Sequence, residues 1–172
     1  GIRQWLGGEL VAGPDTFRMK EIEKGMDRLA ELGLPIHITE FNPPSRDTKN
    51  KNPDQARLSD EEVAEWTVNF YTLAFSKPYI REITRWFLID TIGGRGIDAG
   101  LVTLEGERKP SYYALRKLLK ETWSTRWEGE LKDGQADFRG FFGTYEARIG
   151  GETARFELCE GPSGPIEVRT GK

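Results

Sequence analysis

The run Leu34-Pro35-Ile36-His37-Ile38-Thr39-Glu40-Phe41-Asn42 constrains this chain more than any other stretch. It has the pattern of a short buried strand that ends in a carboxylate where the chain turns polar. By the two-residue period of a strand, Ile36, Ile38 and Glu40 share one face, which places the carboxylate at the rim of whatever interior the isoleucines fill. A strand-end Glu in an ordinary solvated loop has the same spacing, so the flanking segments must decide between chemistry and a plain turn.

Those segments alternate in type. From Asp15 to Leu32 the apolar residues Phe17, Ile22, Met26 and Leu29 recur near helical spacing, with Asp15 or Thr16 as cap and Gly33 as stop. The strand Leu34 to Glu40 follows, and Pro43-Pro44 opens a long polar loop to Leu58. Ser59-Asp60-Glu61-Glu62 reads as a capping box before a second helix, with Val63, Trp66, Phe70 and Leu73 as its buried stripe and Pro78 beyond its end. Ile83 to Ile89 reads as a second apolar strand, which delivers Asp90 into a loop containing Gly93, Gly94, Arg95 and Gly96. Lys109-Pro110-Ser111 starts a third helix that carries Tyr113, Leu118 and Leu119 to about Glu121, with Pro suited to the first turn. An earlier strand is expected within Gly1 to Gly8.

Helix, strand, helix, strand, helix at this spacing predicts a parallel α/β layer. After Trp123 the period drops to two: Ala136 and Phe138, Tyr145 to Ile149, Ala154 to Leu158, and Ile166 with Val168 alternate with polar residues between Gly-rich turns. The expected organisation is therefore an α/β unit over residues 1–122 and a small antiparallel β module over 123–172.

Composition excludes several classes. With 172 residues, 37% hydrophobic and 31% charged, the chain reads as globular rather than disordered or membrane-spanning. A net charge of -3 with mixed signs leaves no basic stripe for a phosphate backbone, so neither nucleic acid nor a membrane is an expected partner. Cys159 is the sole cysteine and His37 the sole histidine, so no intrachain disulfide or Cys/His metal set is expected, and no cofactor. Gly1 stands where Met would begin a reading frame, and no leader-like or long apolar segment follows. A mature product or a fragment is expected.

Taken in order, the strand ending in Ile38-Thr39-Glu40, the strand carrying Trp86 and the helix start Lys109-Pro110-Ser111-Tyr112-Tyr113-Ala114-Leu115 resemble the C-terminal part of family 10 glycoside hydrolases, the endo-xylanase family. The tail, Trp123-Ser124-Thr125-Arg126-Trp127 followed by Phe138-Arg139-Gly140-Phe141-Phe142-Gly143-Thr144-Tyr145-Glu146, resembles the short β extension of some xylanase-like proteins. The resemblance implies a partial (β/α)8 TIM-type barrel limited to the last three strand positions, because a complete barrel typically needs ~250 residues. It implies Glu40 as the catalytic nucleophile and Trp86 as a wall of the sugar site. Gln4, Trp5, Asn42, Asp90 and Arg95 are the further candidates for substrate contact. For Trp5 and Trp86 a core role is the competing expectation.

The same resemblance implies a deficit. Retaining glycosidases hold two carboxyl groups roughly 5 to 5.5 Å apart, one as nucleophile and one as acid/base. The family's acid/base Glu lies on the fourth strand, outside this sequence, so little or no xylanase activity is expected of the chain alone. Asp90 ends the neighbouring strand, and neighbouring strands lie roughly 4.8 Å apart, so geometry allows it as a substitute acid; ion pairing or loop capping is the commoner use of such a residue. The family's supporting Gln-x-His is also missing, since Leu6 and Gly7 follow Gln4-Trp5, and the parity of His37 sets it on the face opposite Glu40.

A glycan of the β-1,4-linked plant type is the implied partner, and an extracellular or periplasmic location follows from family habit. The alternatives are a non-catalytic carbohydrate-binding or structural remnant and a protein-interaction module. A cut barrel would bare two sheet edges and an apolar inner face at Ile36 and Ile38, so a homo-oligomer, or association with the missing half of the barrel, is expected.

Overall fold

The computed structural model describes residues 19–43, 58–90, 99–159 and 164–169. Their order is α1 (Met19–Ala30), β1 (Ile36–Phe41), α2 (Asp60–Phe75), β2 (Ile80–Arg85), α3 (Pro110–Lys117), β3 (Gly143–Ile149) and β4 (Glu152–Leu158). The chain is thus a mixture of helix and strand with two small sheets, β1-β2 and β3-β4. It divides into two compact units between Leu118 and Leu119.

In the first unit β1 and β2 pair in parallel with α2 as the crossover, a βαβ unit. Local chemistry sets the ends of its helices. Gly33, at φ 69°, donates its N–H to the Ala30 carbonyl at 2.9 Å and stops α1, a conformation a side chain would resist. The capping box at α2 is closed in both directions: Ser59 Oγ accepts from the Glu62 amide at 3.2 Å, and Glu62 Oε2 accepts from the Ser59 amide at 2.6 Å. Pro110 occupies the first turn of α3, where its missing N–H costs nothing.

The core gathers on Phe41. Its ring is fully buried, stacked on Phe70 at 4.2 Å and Trp66 at 5.9 Å, with Tyr71 edge-on at 5.5 Å. Ile22, Met26, Ile36, Ile38, Leu115 and Leu118 complete it.

Strand register adds detail to β1. Ile36 pairs with Ile80, but His37 pairs with Glu82 and Ile38 with Ile83, so β2 carries one extra residue; Phe41 then pairs with Arg85, and β1 gives the residue back. Each irregularity is a bulge that re-aims the side chains beyond it. Past the second one Phe41, rather than Glu40, joins Ile36 and Ile38 in the buried set, and Glu40 is half-buried.

The exposed face of this sheet is polar. His37 and Thr39 stand out from β1, and Glu82 and Thr84 from β2. His37 Nδ1 meets Glu82 Oε2 at 3.0 Å, and Thr84 Oγ1 donates to Glu82 Oε1 at 3.0 Å. Ile36 and Ile38 are only 7% and 4% exposed, so these two isoleucines are buried rather than bare.

Other expectations also shift. The second strand runs Ile80–Arg85 rather than Ile83 to Ile89, because Tyr79 already enters the ladder through its carbonyl and the ladder closes with the Trp86 amide on the Phe41 carbonyl. Leu29, Tyr113 and Leu119 are 38%, 55% and 44% exposed instead of buried. The third helix ends its α-helical run at Lys117 and continues as a π turn over Leu118–Thr122, which rotates Leu119 off the buried stripe.

In the second unit β3 and β4 form an antiparallel hairpin turned by Gly150 and Gly151, both at positive φ. Tyr145 lies opposite Phe156 and stacks on it at 5.3 Å, and Phe138 meets both rings edge-on. Phe138 reaches that cluster from irregular chain. Neither Ala136 nor Ile166 and Val168 lie in strands, so alternation alone predicted more sheet than exists among the described residues.

Candidate functional site

Both strands of the parallel sheet deliver candidates at their C-terminal ends. Glu40 is the penultimate residue of β1 and half-buried; Asn42 follows the strand with its Oδ1 buried and without a hydrogen-bond partner. Trp86 follows β2 directly. Its amide donates to the Phe41 carbonyl at 3.0 Å, which ties it to the residue between Glu40 and Asn42, while its side chain remains 52% exposed. Glu40, Asn42 and Trp86 are therefore assembled at one end of the sheet by backbone pairing. Gln4, Trp5 and Arg95 lie outside the described residues.

Asp90 has another occupation. Its Oδ2 lies 2.6 Å from Lys109 Nζ, and its Oδ1 accepts from Lys109 Nζ at 2.8 Å and from the Gly100 amide at 2.8 Å. A Cβ on Gly100 would stand 2.5 Å from the Asp90 nitrogen, so only glycine lets that amide approach. The pairing makes Asp90 a loop anchor, the ion-pairing and loop-capping use expected alongside its place at the sugar.

Sequence reasoning missed Arg85. Its guanidinium lies over the Phe41 ring at 5.9 Å, donates from Nε to the Phe87 carbonyl at 3.2 Å and from Nη2 to the Ala99 carbonyl at 2.6 Å. Nη1 is buried without a partner, and burial pulls the group down to about 10, against the attraction of Tyr71 and Asp90. The signal was legible: Arg85 has the parity of Ile83 and Phe87 in an apolar run, and a charge on the inward parity marks a specific partner.

His37 is hydrogen-bonded to Glu82 rather than to the candidate nucleophile, and that bond, with the one from Thr84, holds the Glu82 carboxyl below its ordinary range. No cluster of three or more metal-ligating side chains occurs among the described residues, and no described helix is long and apolar enough to cross a membrane.

No family model matches the chain. Among curated proteins it is 32% identical over 125 residues to anti-sigma-I factor RsgI6 of Acetivibrio thermocellus, covering 72% of this chain and 15% of that protein. It is 28% identical over 146 residues to endo-1,4-beta-xylanase 2 of Arabidopsis thaliana, covering 84% of this chain and 12% of the relative. The chain thus spans only a small part of the curated relatives it matches. Among solved structures, a β-glucuronidase of Faecalibacterium prausnitzii matches with a TM-score of 0.48 and 19% identity, over 67% of this chain and 19% of that one. Xylanase 10B of Thermotoga petrophila RKU-1 matches with a TM-score of 0.45 and 23% identity, over 60% and 32%. Over most of its length the chain is similar to part of a glycoside hydrolase.

Proposed function

We propose that this chain is the C-terminal part of a retaining, xylanase-like glycoside hydrolase of family 10 type, a partial barrel that contributes Glu40 as nucleophile against β-1,4-linked plant polysaccharide. The observation that carries the reading is the position of Glu40 at the C-terminal end of a parallel strand, with Trp86 bonded beside it. Active sites of α/β barrels are built at that end of the strands. The likeness to a plant xylanase over 146 residues supports the same reading.

In this mechanism the Glu40 carboxylate attacks the anomeric carbon and a covalent glycosyl-enzyme forms as the bond to the leaving oxygen breaks. Water then releases the sugar. Asp90 is engaged by Lys109, and in this reading the acid/base belongs to the rest of the protein. Secretion to an extracellular or periplasmic site belongs to the same reading.

An activated substrate separates the two roles, because dinitrophenolate leaves without protonation. A 2-deoxy-2-fluoro-xylobioside of dinitrophenol should label Glu40, as read by peptide mass spectrometry, in the longer protein and slowly in this chain, whereas xylan remains uncut by this chain. Labelling of another carboxylate in an active longer protein overturns the assignment. Fast xylan hydrolysis by the verified chain, abolished by Glu40→Gln, overturns the missing acid.

A second reading, a non-catalytic carbohydrate-binding or structural remnant, is favoured by the match to a protein named for sigma-factor control rather than hydrolysis. It predicts oligosaccharide binding with no labelling in any context.

A further inference from the structure

We propose that Arg85 is a positioning residue that presents Trp86 to the candidate site. Arg85 ends β2, and beyond the Trp86 amide bond to the Phe41 carbonyl the backbone leaves the β1 ladder, with no β1 partner for the Phe87 carbonyl among the described residues. The Arg85 side chain takes up that carbonyl. Nε binds the carbonyl of Phe87, which places the guanidinium across Trp86 from the residue before it to the residue after it. Nη2 binds the carbonyl of Ala99, tying the same point to the distant side of the following loop. With the Trp86 amide on the Phe41 carbonyl and its ring edge-on to Phe87 at 5.9 Å, the backbone on both sides of Trp86 is held while the indole stays half exposed.

The cost of this arrangement argues against packing alone. A guanidinium buried against Phe41, with one nitrogen unpartnered, is more expensive than a leucine or methionine of similar reach. Its return is geometric, since the planar fork grips two carbonyls that no apolar side chain could hold. A lysine would reach one of them. Arg85 sits on the inward parity with Ile83, and Trp86 continues the exposed parity of Glu82 and Thr84, so gripping one aims the other.

The test reads Trp86 directly and then its use. In the whole 15N-labelled chain, which has five Trp, the Trp86 indole N–H is assigned by its loss in Trp86→Phe. Arg85→Met should shift or split that signal while the other indole signals and the far-ultraviolet circular dichroism stay in place; Arg85→Lys should give an intermediate shift. An unmoved Trp86 signal, or displacement of all indole signals together, overturns the proposal. If Arg85→Met fails to fold, Arg85→Lys decides by the same criterion.

The second arm rests on the reading that Trp86 meets sugar. Titration with xylohexaose should show Arg85→Met weakening binding about tenfold, with no further loss when Trp86→Phe is already present, the non-additivity expected of residues acting through one contact. Equal losses in both backgrounds overturn the positioning role. Absence of xylohexaose binding, or binding unaffected by Trp86→Phe, overturns the sugar contact, and the indole signal still decides the role of Arg85.

Discussion

Asp90 and Lys109 close an ion pair of 2.6 Å in which the side chains are only 14% and 10% exposed. Removing one member of such a pair takes the nearest counter-charge from the other, and breaking a buried pair costs about 3–5 kcal/mol. Asp90→Asn keeps an acceptor for the Gly100 amide, and Asp90→Ala loses both functions, so the order of stability in urea unfolding should be wild type, then Asn, then Ala. The double variant Asp90→Asn with Lys109→Met should be more stable than the two single losses would add to. Simple additivity would mean that the pair contributes nothing as a pair.

Phe41 should be the most sensitive apolar position of the first unit. It is fully buried and touches three aromatic rings of α2, the nearest at 4.2 Å. Truncation to Ala leaves a cavity between β1 and α2, and losses of about 3–5 kcal/mol are usual for a buried Phe. Urea denaturation of Phe41→Ala followed by Trp fluorescence checks it; a loss under about 1 kcal/mol would mean that α2 closes over the gap.

Much of this fold was written locally. The capping box at Ser59 and Glu62, the stop at Gly33 and the proline start of α3 each depend on residues within a turn of one another, and the sequence displays them. The burial of Phe41 in place of Glu40 depends on two compensating bulges, and a bulge is a property of two strands pairing rather than of either one. The tail overstated its sheet for the same reason: Ile166 and Val168 alternate, but alternation needs an edge to pair with. At the candidate site, the placement of Glu40 and Trp86 at the ends of neighbouring strands was legible from their segments. The anchoring of Asp90 by Lys109 and Gly100 was visible only as one of several uses of a strand-end carboxylate.

The cluster that joins α1 to the end of α2 makes stability depend on pH. Lys77 Nζ lies 2.6 Å from Glu23 and 3.0 Å from Asp27, and the Tyr79 hydroxyl also donates to Asp27. The bonds from Tyr79 and then Lys77 hold the Asp27 carboxyl below its ordinary 3.8. That stabilisation is complete above the ordinary carboxylate value and disappears as pH falls below it. The hydrogen bonds that Lys77 donates to Glu23 and Asp27 raise it, and burial followed by the bond to Asp27 pushes Tyr79 up to about 12. Both contributions are complete below the ordinary Tyr and Lys values and fade at higher pH. Asp27→Asn should therefore flatten both the acid and the alkaline limbs of a melting-temperature profile. Limbs identical to those of wild type would show that the cluster is solvated away in solution.

The buried isoleucines of β1 reverse what a substitution there would do. On a bare inner face, a charge at Ile38 would separate the copies of an oligomer and leave folded monomers. Ile38 is instead 4% exposed, while the open face of the sheet carries His37, Thr39, Glu82 and Thr84. An Asp at 38 would have to lose its hydration in the core without a partner, which costs several kcal/mol or forces the carboxyl to take up a proton. Ile38→Asp should thus unfold the first unit at neutral pH, as read by circular dichroism, and acidification should partly restore it by neutralising the new carboxyl. His37→Ala, on the open face, should leave the fold intact. Light scattering on both variants completes the comparison: a folded Ile38→Asp monomer produced from an associating wild type would return the isoleucines to an exposed interface.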